Sequence, residues 1–207
     1  MTNKRLVIDM DEKREVRNLQ SSVTVTDGTE KRTVEGYALL FDTPSTGLSF
    51  EERIEAGALD GVIEKSDVYA LLNHNPERGI LARCEYGKGS LELIVDTKGL
   101  MYRFEAPKTA LGDELLENIR RGEVHQSSFA FDVENDEWKK KSDGTWTRTI
   151  KKFGNIYDVS PVYAPAYSAT SVYLRGRDEA ERKLEEERRG QEPSEEYYEN
   201  LRNMFNC

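Results

Sequence analysis

A long series of short, strand-forming segments is the feature that most constrains how this chain can fold. Each segment is rich in β-branched, aromatic or leucine residues, and turn-forming residues separate it from the next. The segments are 33–41, 50–54, 68–72, 80–86, 90–96, 100–105, 125–133, 145–152 and 154–163. In 90–96, Leu91, Leu93 and Val95 alternate with mostly polar neighbours, which is typical of a strand with one face on a core. The pattern predicts a mainly β fold of the α+β class.

Helical patterns are few in the part of the chain that carries these strands. Residues 109–121 place apolar side chains on one face at helical spacing, with Thr109 as N-cap and Gly122 as the stop. Residues 56–65 are predicted as a short helix, although two glycines weaken it. Residues 136–144 (DEWKKKSDG) are predicted as a solvated hairpin tip.

The two ends of the chain differ in character from the middle. We predict a polar N-terminal segment over 1–22, a folded domain over 23–175 and a charged helical tail over 176–207, with a last short strand at 171–174. The tail ends in an apolar stripe at helical spacing, formed by Tyr197, Leu201, Met204 and Phe205. This stripe is interpreted either as a segment that docks on a partner or as one that packs on the chain's own domain.

Charge and cysteine content restrict the partners and the compartment. The 207 residues include 30 basic and 39 acidic ones, for a net charge of −9, which argues against nucleic acid as a partner. The two cysteines, Cys84 and Cys207, do not form a disulfide framework and indicate a reducing compartment. The apolar run at residues 6–8 is too short for a signal peptide or a membrane span. We expect a protein that acts inside the cell that makes it, without membrane contact.

A histidine-dependent mechanism has two residues to choose from, His74 and His125. His74 follows the strand-like 68–72 and precedes Pro76, which disfavours helix before it, so we expect His74 at a strand end or in a loop. Functional side chains often occupy such loops beside a rigid sheet. The alternative is an ordinary solvated histidine.

Ser127 and Ser128 lie at the start of a core strand. Strand alternation puts Ser127 on the face of Phe129 and Phe131, so we expect Ser128 to be the more exposed serine and the better nucleophile. The alternative is that both are ordinary strand residues. Asp158 lies in an otherwise apolar strand and needs a partner, because a buried unpaired charge is costly. His74 is one candidate partner, and a salt bridge or exposure of Asp158 is the alternative.

Other chemistries leave no pattern in the sequence. It contains no GxSxG elbow, no HExxH motif and no P-loop. The histidines and cysteines do not build a zinc site, so we expect no metal and no cofactor.

Six segments in this order resemble the prohead (capsid maturation) serine protease family of tailed bacteriophages. They are VEGYALLFDTPS, FEERIEAGALD, VYALLNHNPERGILAR, GSLELIVDTKGLMYRFEAP, GDELLENIRRGEVHQSSFAF and YDVSPVYAPAYSATSV. The family is related to the herpesvirus capsid assembly proteases. The resemblance implies a small, mostly antiparallel β-barrel with surrounding helices, and a protease domain over 23–175. It implies a serine endopeptidase that removes the scaffolding segment of the major capsid protein, and parts of itself, inside the assembling prohead in the host cytoplasm.

The resemblance also assigns site residues. The family histidine falls on His74, the nucleophile on Ser128 and the third, orienting acid on Asp158, where the family more often has glutamate. Ala130 stands where the family tends to have glycine. For the oxyanion, backbone N–H groups near Ser128 or a guanidinium are needed, and Arg148 is a speculative guanidinium whose alternative is an ordinary surface position.

The role also predicts partners. These are the major capsid protein with its scaffold segment, the portal as a further candidate, and a homo-oligomer of two or more copies. The competing hypothesis, from another functional class, is a non-catalytic capsid assembly or scaffold protein that keeps the protease fold. The acidic tail favours that reading, and the set of three candidate catalytic residues disfavours it.

Overall fold

The structure is a computed structural model that describes residues 14–19, 23–25, 32–45, 48–163, 178 and 180–187. The chain divides into two compact units, Met1–Val172 and Tyr173–Cys207. In chain order the described strands are β1 (Glu15–Leu19), β2 (Thr24–Val25), β3 (Thr33–Leu40), β4 (Glu51–Ile54), β5 (Asp67–Ala70), β6 (Ala82–Glu85), β7 (Lys88–Gly89), β8 (Leu91–Val95), β9 (Gly99–Glu105), β10 (Gln126–Lys140) and β11 (Trp146–Val162).

These strands form two sheets. The larger sheet has the order β1-β10-β11-β5-β6-β7, with β4 also paired to β11, and the smaller sheet has the order β2-β3-β9-β8. Strands β4 and β5 run parallel to β11, and the other pairs are antiparallel. The mainly antiparallel β class is confirmed. Neither sheet closes on itself within the described residues, so the predicted closed barrel is not found.

The predicted helix at 109–121 is present as α1 (Ala110–Arg120). The Thr109 hydroxyl accepts a hydrogen bond from the backbone N–H of Gly112 at 3.3 Å, and Gly122 follows with a φ of 75°. The predicted N-cap and the predicted stop are therefore both present. The Thr109 hydroxyl accepts from one of the N–H groups that have no partner in the first turn, and Gly122 takes the left-handed conformation after the last turn. Leu115 and Leu116 face the core.

The short α-helix predicted over 56–65 is wrong. The chain makes a series of turns there and then one short 3-10 helix, Ile63–Lys65. Gly57 and Gly61 have φ values of 93° and 67°, a left-handed conformation that interrupts a right-handed helix. The apolar residues at 58, 59 and 62 are buried nevertheless, which explains why their pattern resembles a helix.

The hairpin of β10 and β11 is longer than expected. Residues 136–140, predicted as part of a solvated tip, pair with 146–150, and the strands predicted at 145–152 and 154–163 are one strand. Register shifts between Ala130 and Asp136 bend the hairpin. At the bend, the Asp132 carboxylate lies where a β-carbon on Gly154 would be, and it accepts the Tyr157 hydroxyl at 2.8 Å.

Three phenylalanines anchor the inner end of this hairpin in the core. The ring centroids of Phe129 and Phe131 lie 4.8 Å apart, and Phe153 meets Phe131 edge to face at 5.1 Å. All three are buried, and each such side chain stabilises the fold by about 1.5–3 kcal/mol. This packing fixes the stretch of β10 that carries Ser127 and Ser128.

In the tail, residues 178 and 180–187 are helical and mostly exposed, as expected for a charged helix. The strand predicted at 171–174 and the stripe Tyr197, Leu201, Met204 and Phe205 lie outside the described residues. None of the helices described in the structure has the length and apolar composition needed to cross a membrane.

Candidate active site

Ser128 lies on β10 between two neighbouring strands. Its register partners are Asn18 on β1 and Ser160 on β11. Its exposed fraction is 0%, the same as that of Ser127, so the expectation that Ser128 is the more exposed serine is wrong. Strand β1 covers it: the Ser128 hydroxyl lies 2.9 Å from the backbone carbonyl oxygen of Arg17 and donates to it.

Ser127 points to the opposite face, as strand alternation predicts. Its hydroxyl is 2.8 Å from the phenolic oxygen of Tyr102, inside the core. Gly36 leaves room for this pair, because a β-carbon there would lie 2.9 Å from the Tyr102 oxygen. Burial raises the pKa of Tyr102, and the bond from Ser127 offsets part of that rise. Among the residues that the structure describes, Ser127 therefore has no histidine or carboxylate bonded to its hydroxyl.

His74 lies in a loop that follows β5, as predicted. Asn73 and His74 both have left-handed backbone, with φ values of 56° and 57°, a conformation that costs free energy for residues other than glycine. The Asn73 N–H donates to the carbonyl of Pro161 at 3.0 Å, which ties the loop to β11. Pro76 then begins a short 3-10 helix. This strained turn brings the imidazole over the sheet face that carries Ser128.

Asp158 lies on β11, directly across from Ala130 of β10, and is 1% exposed. Its Oδ1 is 2.6 Å from His74 Nδ1 and accepts the Ser160 hydroxyl at 2.7 Å. Its Oδ2 pairs with the guanidinium of Arg14. The carboxylate thus has a partner on each oxygen, which is what its burial requires.

A continuous hydrogen-bonded chain results. His74 Nε2 is 2.6 Å from Ser128 Oγ, and Nδ1 is 2.6 Å from Asp158 Oδ1. Burial works to raise the pKa of Asp158, but His74, Ser160 and Arg14 together outweigh it and hold the pKa below its ordinary value. A carboxylate that stays ionised can fix the tautomer in which Nδ1 carries the proton and Nε2 is free to accept one.

His125, the other histidine, is exposed, and its Nδ1 lies 3.1 Å from the carbonyl oxygen of Gly122. It makes no hydrogen bond with Ser127 or Ser128 in the part of the chain that the structure describes. Of the two histidines, His74 is the one that is hydrogen-bonded to Ser128.

Arg148 is buried rather than at the surface, and it lies in a cluster of ion pairs. It contacts Glu15 at 2.6 Å, Glu52 at 3.0 Å and Asp136 at 2.6 Å. Arg17 binds the same Glu15 and Glu52, at 2.5 and 2.6 Å. Among the described residues Arg148 makes no hydrogen bond with Ser128 or His74, so its contacts do not favour a role at the oxyanion.

Neither β1 nor this cluster is predicted from the sequence. Glu15 and Arg17 are nearly fully buried, yet the segment EVRNL alternates charged and other residues without an apolar face. The burial becomes visible only once the opposite charges on β4 and β11 are placed beside it. No local pattern in 1–22 signals these partners.

Beside Asp158 the surface forms a cleft of about 250 Å³. Its lining combines apolar side chains with two carboxylates and one guanidinium: Arg14, Asp67, Tyr69, Leu71, Pro76, Ile80, Tyr157 and Asp158. Among the described residues there is no group of three His, Cys, Asp or Glu side chains that can hold a metal ion.

Comparison with known proteins gives two findings. A model of the family described as caudovirus prohead serine protease matches residues 19–185. Among solved structures, the bacteriophage T4 capsid assembly protease, gp21, is similar with 12% identity and a TM-score of 0.48, over 73% of this chain and 98% of that one. No curated protein sequence matches the chain.

Proposed function

The chain belongs to the caudovirus prohead serine proteases, and on that premise we propose that Ser128 is its nucleophile, His74 its general base and Asp158 the orienting acid. The observation that carries this proposal is the chain of two 2.6 Å contacts, from Ser128 Oγ to His74 and from His74 to Asp158. The three side chains come from two different strands and a loop. A nucleophile, a base and an orienting group in mutual contact are the arrangement that activates a serine hydroxyl.

Acylation follows from this geometry. His74 Nε2 takes the hydroxyl proton of Ser128 as Oγ attacks the scissile carbonyl carbon, and a tetrahedral intermediate forms. The resulting imidazolium is stabilised by Asp158, which is ionised because its pKa is lowered. His74 then gives the proton to the leaving amine, the C–N bond breaks, and the acyl group stays on Ser128 as an ester.

Deacylation repeats the same proton transfers with water. Water gives a proton to His74 Nε2 and attacks the ester carbon. The proton then returns to Ser128 as the carboxylic acid product leaves. The oxyanion needs donors aimed at it in both halves. Because the guanidinium of Arg148 is bound to three carboxylates, we assign this role to backbone N–H groups near Ser128.

The proposed substrate is the scaffolding segment of the major capsid protein, together with the protease chain itself, inside the assembling prohead. Family membership supports this choice. The portal is a further proposed partner, and a homo-oligomer of two or more copies is the proposed working form. The stripe Tyr197, Leu201, Met204 and Phe205 is proposed to dock the chain on its partners. Deleting 191–207 should impair incorporation into proheads and spare peptide cleavage, and unchanged incorporation would contradict the docking role.

Co-expression with the capsid protein tests the proposed function. Wild type should cleave the capsid protein and itself, Ser128→Ala should cleave neither, and Ser127→Ala should keep cleavage. If the capsid protein stays whole with the wild-type chain while proheads still assemble, the alternative of a non-catalytic assembly protein takes its place. Cleavage by Ser128→Ala but not by Ser127→Ala would move the nucleophile by one residue.

A further inference from the structure

The nucleophile proposed above is covered by the chain's own N-terminal strand. Ser128 has no exposed surface, and β1 lies beside it with Asn18 directly across from it. His74 lies on the other side of Ser128, with its side chain 15% exposed. Strand β1 therefore occupies the position beside Ser128 on the side of β10 opposite to β11.

The edge of β10 that β1 takes is also the place where an extended peptide can bind. Such a peptide adds to the free edge of a sheet through main-chain hydrogen bonds. The opposite edge of β10 is paired with β11. When β1 is present, neither edge of β10 is free from Ser127 to Phe131, the stretch that contains the nucleophile.

The position of β1 also disturbs the proton arrangement that catalysis needs. The Ser128 hydroxyl has a single hydrogen and two acceptors in reach, the Arg17 carbonyl oxygen at 2.9 Å and His74 Nε2 at 2.6 Å. If the hydrogen goes to Arg17, Nε2 must carry a hydrogen of its own to bond with Oγ, and a nitrogen that already carries a hydrogen cannot take the proton of the serine. The strand therefore competes with His74 for the proton of the nucleophile.

Ion pairs at the start and in the middle of the strand hold it in this position. Glu15 binds Arg148 at 2.6 Å, and Arg17 binds Glu52 at 2.6 Å, all four being buried. Just before the strand, Arg14 pairs with Asp158 and forms part of the lining of the cleft beside it. Departure of the strand therefore frees Ser128, one oxygen of Asp158 and the cleft in a single movement.

We propose that Glu15–Leu19 is an inhibitory strand that occupies the substrate-binding edge of β10, and that an extended peptide segment must displace it before Ser128 can react. The proposal rests on the proposed function, since it assumes that Ser128 is the nucleophile. In this proposal the substrate binds as an extended strand that pairs with β10. Its scissile carbonyl group then lies where the Arg17 carbonyl group now lies. Peptide at the high local concentration inside a prohead competes best for this edge.

A reversible crosslink tests the proposal on the full chain. Leu19 and Ser127 are register partners, so Leu19→Cys with Ser127→Cys, in a Cys207→Ser background, can join β1 to β10 by a disulfide. The readout is the rate at which a fluorophosphonate probe labels Ser128. Oxidation should slow labelling at least about tenfold, and reduction should restore it. Equal rates in the oxidised and reduced forms overturn the proposal. The two variants that each carry only one of the new cysteines are the controls.

A second variant loosens the strand instead of locking it, and it serves if the crosslinked variant fails to fold. Glu15→Gln removes a buried charge that holds β1 and should speed labelling about tenfold. Glu51→Gln, in an exposed ion pair, is the matched control and should leave the rate unchanged. Failure of both predictions while the capsid protein is still cleaved overturns the inhibitory strand alone. A chain that neither labels in any form nor cleaves overturns the proposed function itself.

Discussion

Ser127 and Ser128 are neighbours on β10 with the same exposed fraction, 0%, yet their hydroxyls meet different chemistry. Ser127 faces the core and bonds the phenol of Tyr102 at 2.8 Å. Ser128 faces His74 at 2.6 Å, with Asp158 behind it. Burial does not distinguish Ser127 from the proposed nucleophile Ser128 here. The group that can take the proton distinguishes them, and strand alternation decides which serine reaches it.

The two faces also differ in what covers them. Ser127 is covered by the core and by Tyr102, which are fixed parts of the fold. Ser128 is covered by β1, a five-residue edge strand held by its pairing with β10 and by buried ion pairs. We propose that this cover can leave while the core stays folded.

Replacing each serine in turn should give the largest difference between the two faces, measured as the change in kcat. Ser128→Ala should lower kcat by about 10⁶-fold, the scale seen when a triad nucleophile is lost. Ser127→Ala should change kcat by less than about tenfold, since Ser127 contacts neither His74 nor Asp158. Peptide cleavage assays with both purified variants measure the ratio. Similar losses of kcat in the two variants would contradict the proposed difference between the two serines.

Asp158→Asn tests the residue that contacts His74 rather than Ser128 itself. The amide keeps the shape but favours the wrong tautomer of His74, so kcat should fall by about 10⁴-fold. Thermal unfolding should show whether the variant keeps its fold. A variant that folds and cleaves normally would mean that Asp158 does not orient the histidine.

Glu52→Ala tests the ion pairs that hold the cover of Ser128. Glu52 is fully buried between Arg17 and Arg148, so removing it leaves buried guanidinium groups without their shared partner. The free energy of unfolding should fall by about 3–5 kcal/mol. Urea denaturation measures this, with Glu51→Gln as an exposed control that should unfold like the wild type. A loss no greater than that of the control would show that the cluster does not hold β1.

Ser127→Ala should have a smaller effect on stability. It leaves the buried Tyr102 hydroxyl without its partner, which costs about 1–3 kcal/mol. The double variant Ser127→Ala with Tyr102→Phe should recover part of this loss, because no polar group then stays unsatisfied. If the double variant loses more free energy of unfolding than the two single variants lose together, the pair is not an isolated hydrogen bond.

The smallest effects should appear in the pH dependence of stability, and they should have opposite signs on the two faces. The pKa of Asp158 is lowered in the folded state, so its contribution is present above its ordinary pKa and is lost as the pH falls through the folded one. The pKa of Tyr102 is raised, so its contribution is lost at alkaline pH, as the unfolded chain ionises first. Asp158→Asn should flatten the acid limb of the stability curve, and Tyr102→Phe should flatten the alkaline limb. If Asp158→Asn flattened the alkaline limb and Tyr102→Phe the acid limb, the environments described for the two residues would be contradicted.

Local patterns in the sequence predict most strands and α1, because each depends on residues close together in the chain. The helix predicted at 56–65 fails because the apolar spacing fits a helix while Gly57 and Gly61 take left-handed turns. The long hairpin is underestimated because the charged residues in 136–140 are read as a tip, although they pair across the strands.

The site shows the same division between local and distant information. Alternation separates Ser128 from Ser127, and the ordered family motifs select His74 and Asp158. The cover over Ser128 escapes prediction because it depends on Glu15 and Arg17 meeting charges from distant parts of the chain. Pairing between residues so far apart leaves no periodic trace.

The most direct test of the proposed nucleophile and base is to find which residue reacts with a fluorophosphonate probe, by peptide mapping of the labelled full chain. We expect one adduct, on Ser128, that disappears in His74→Ala. An adduct on Ser127, or one on Ser128 that persists without His74, would contradict it.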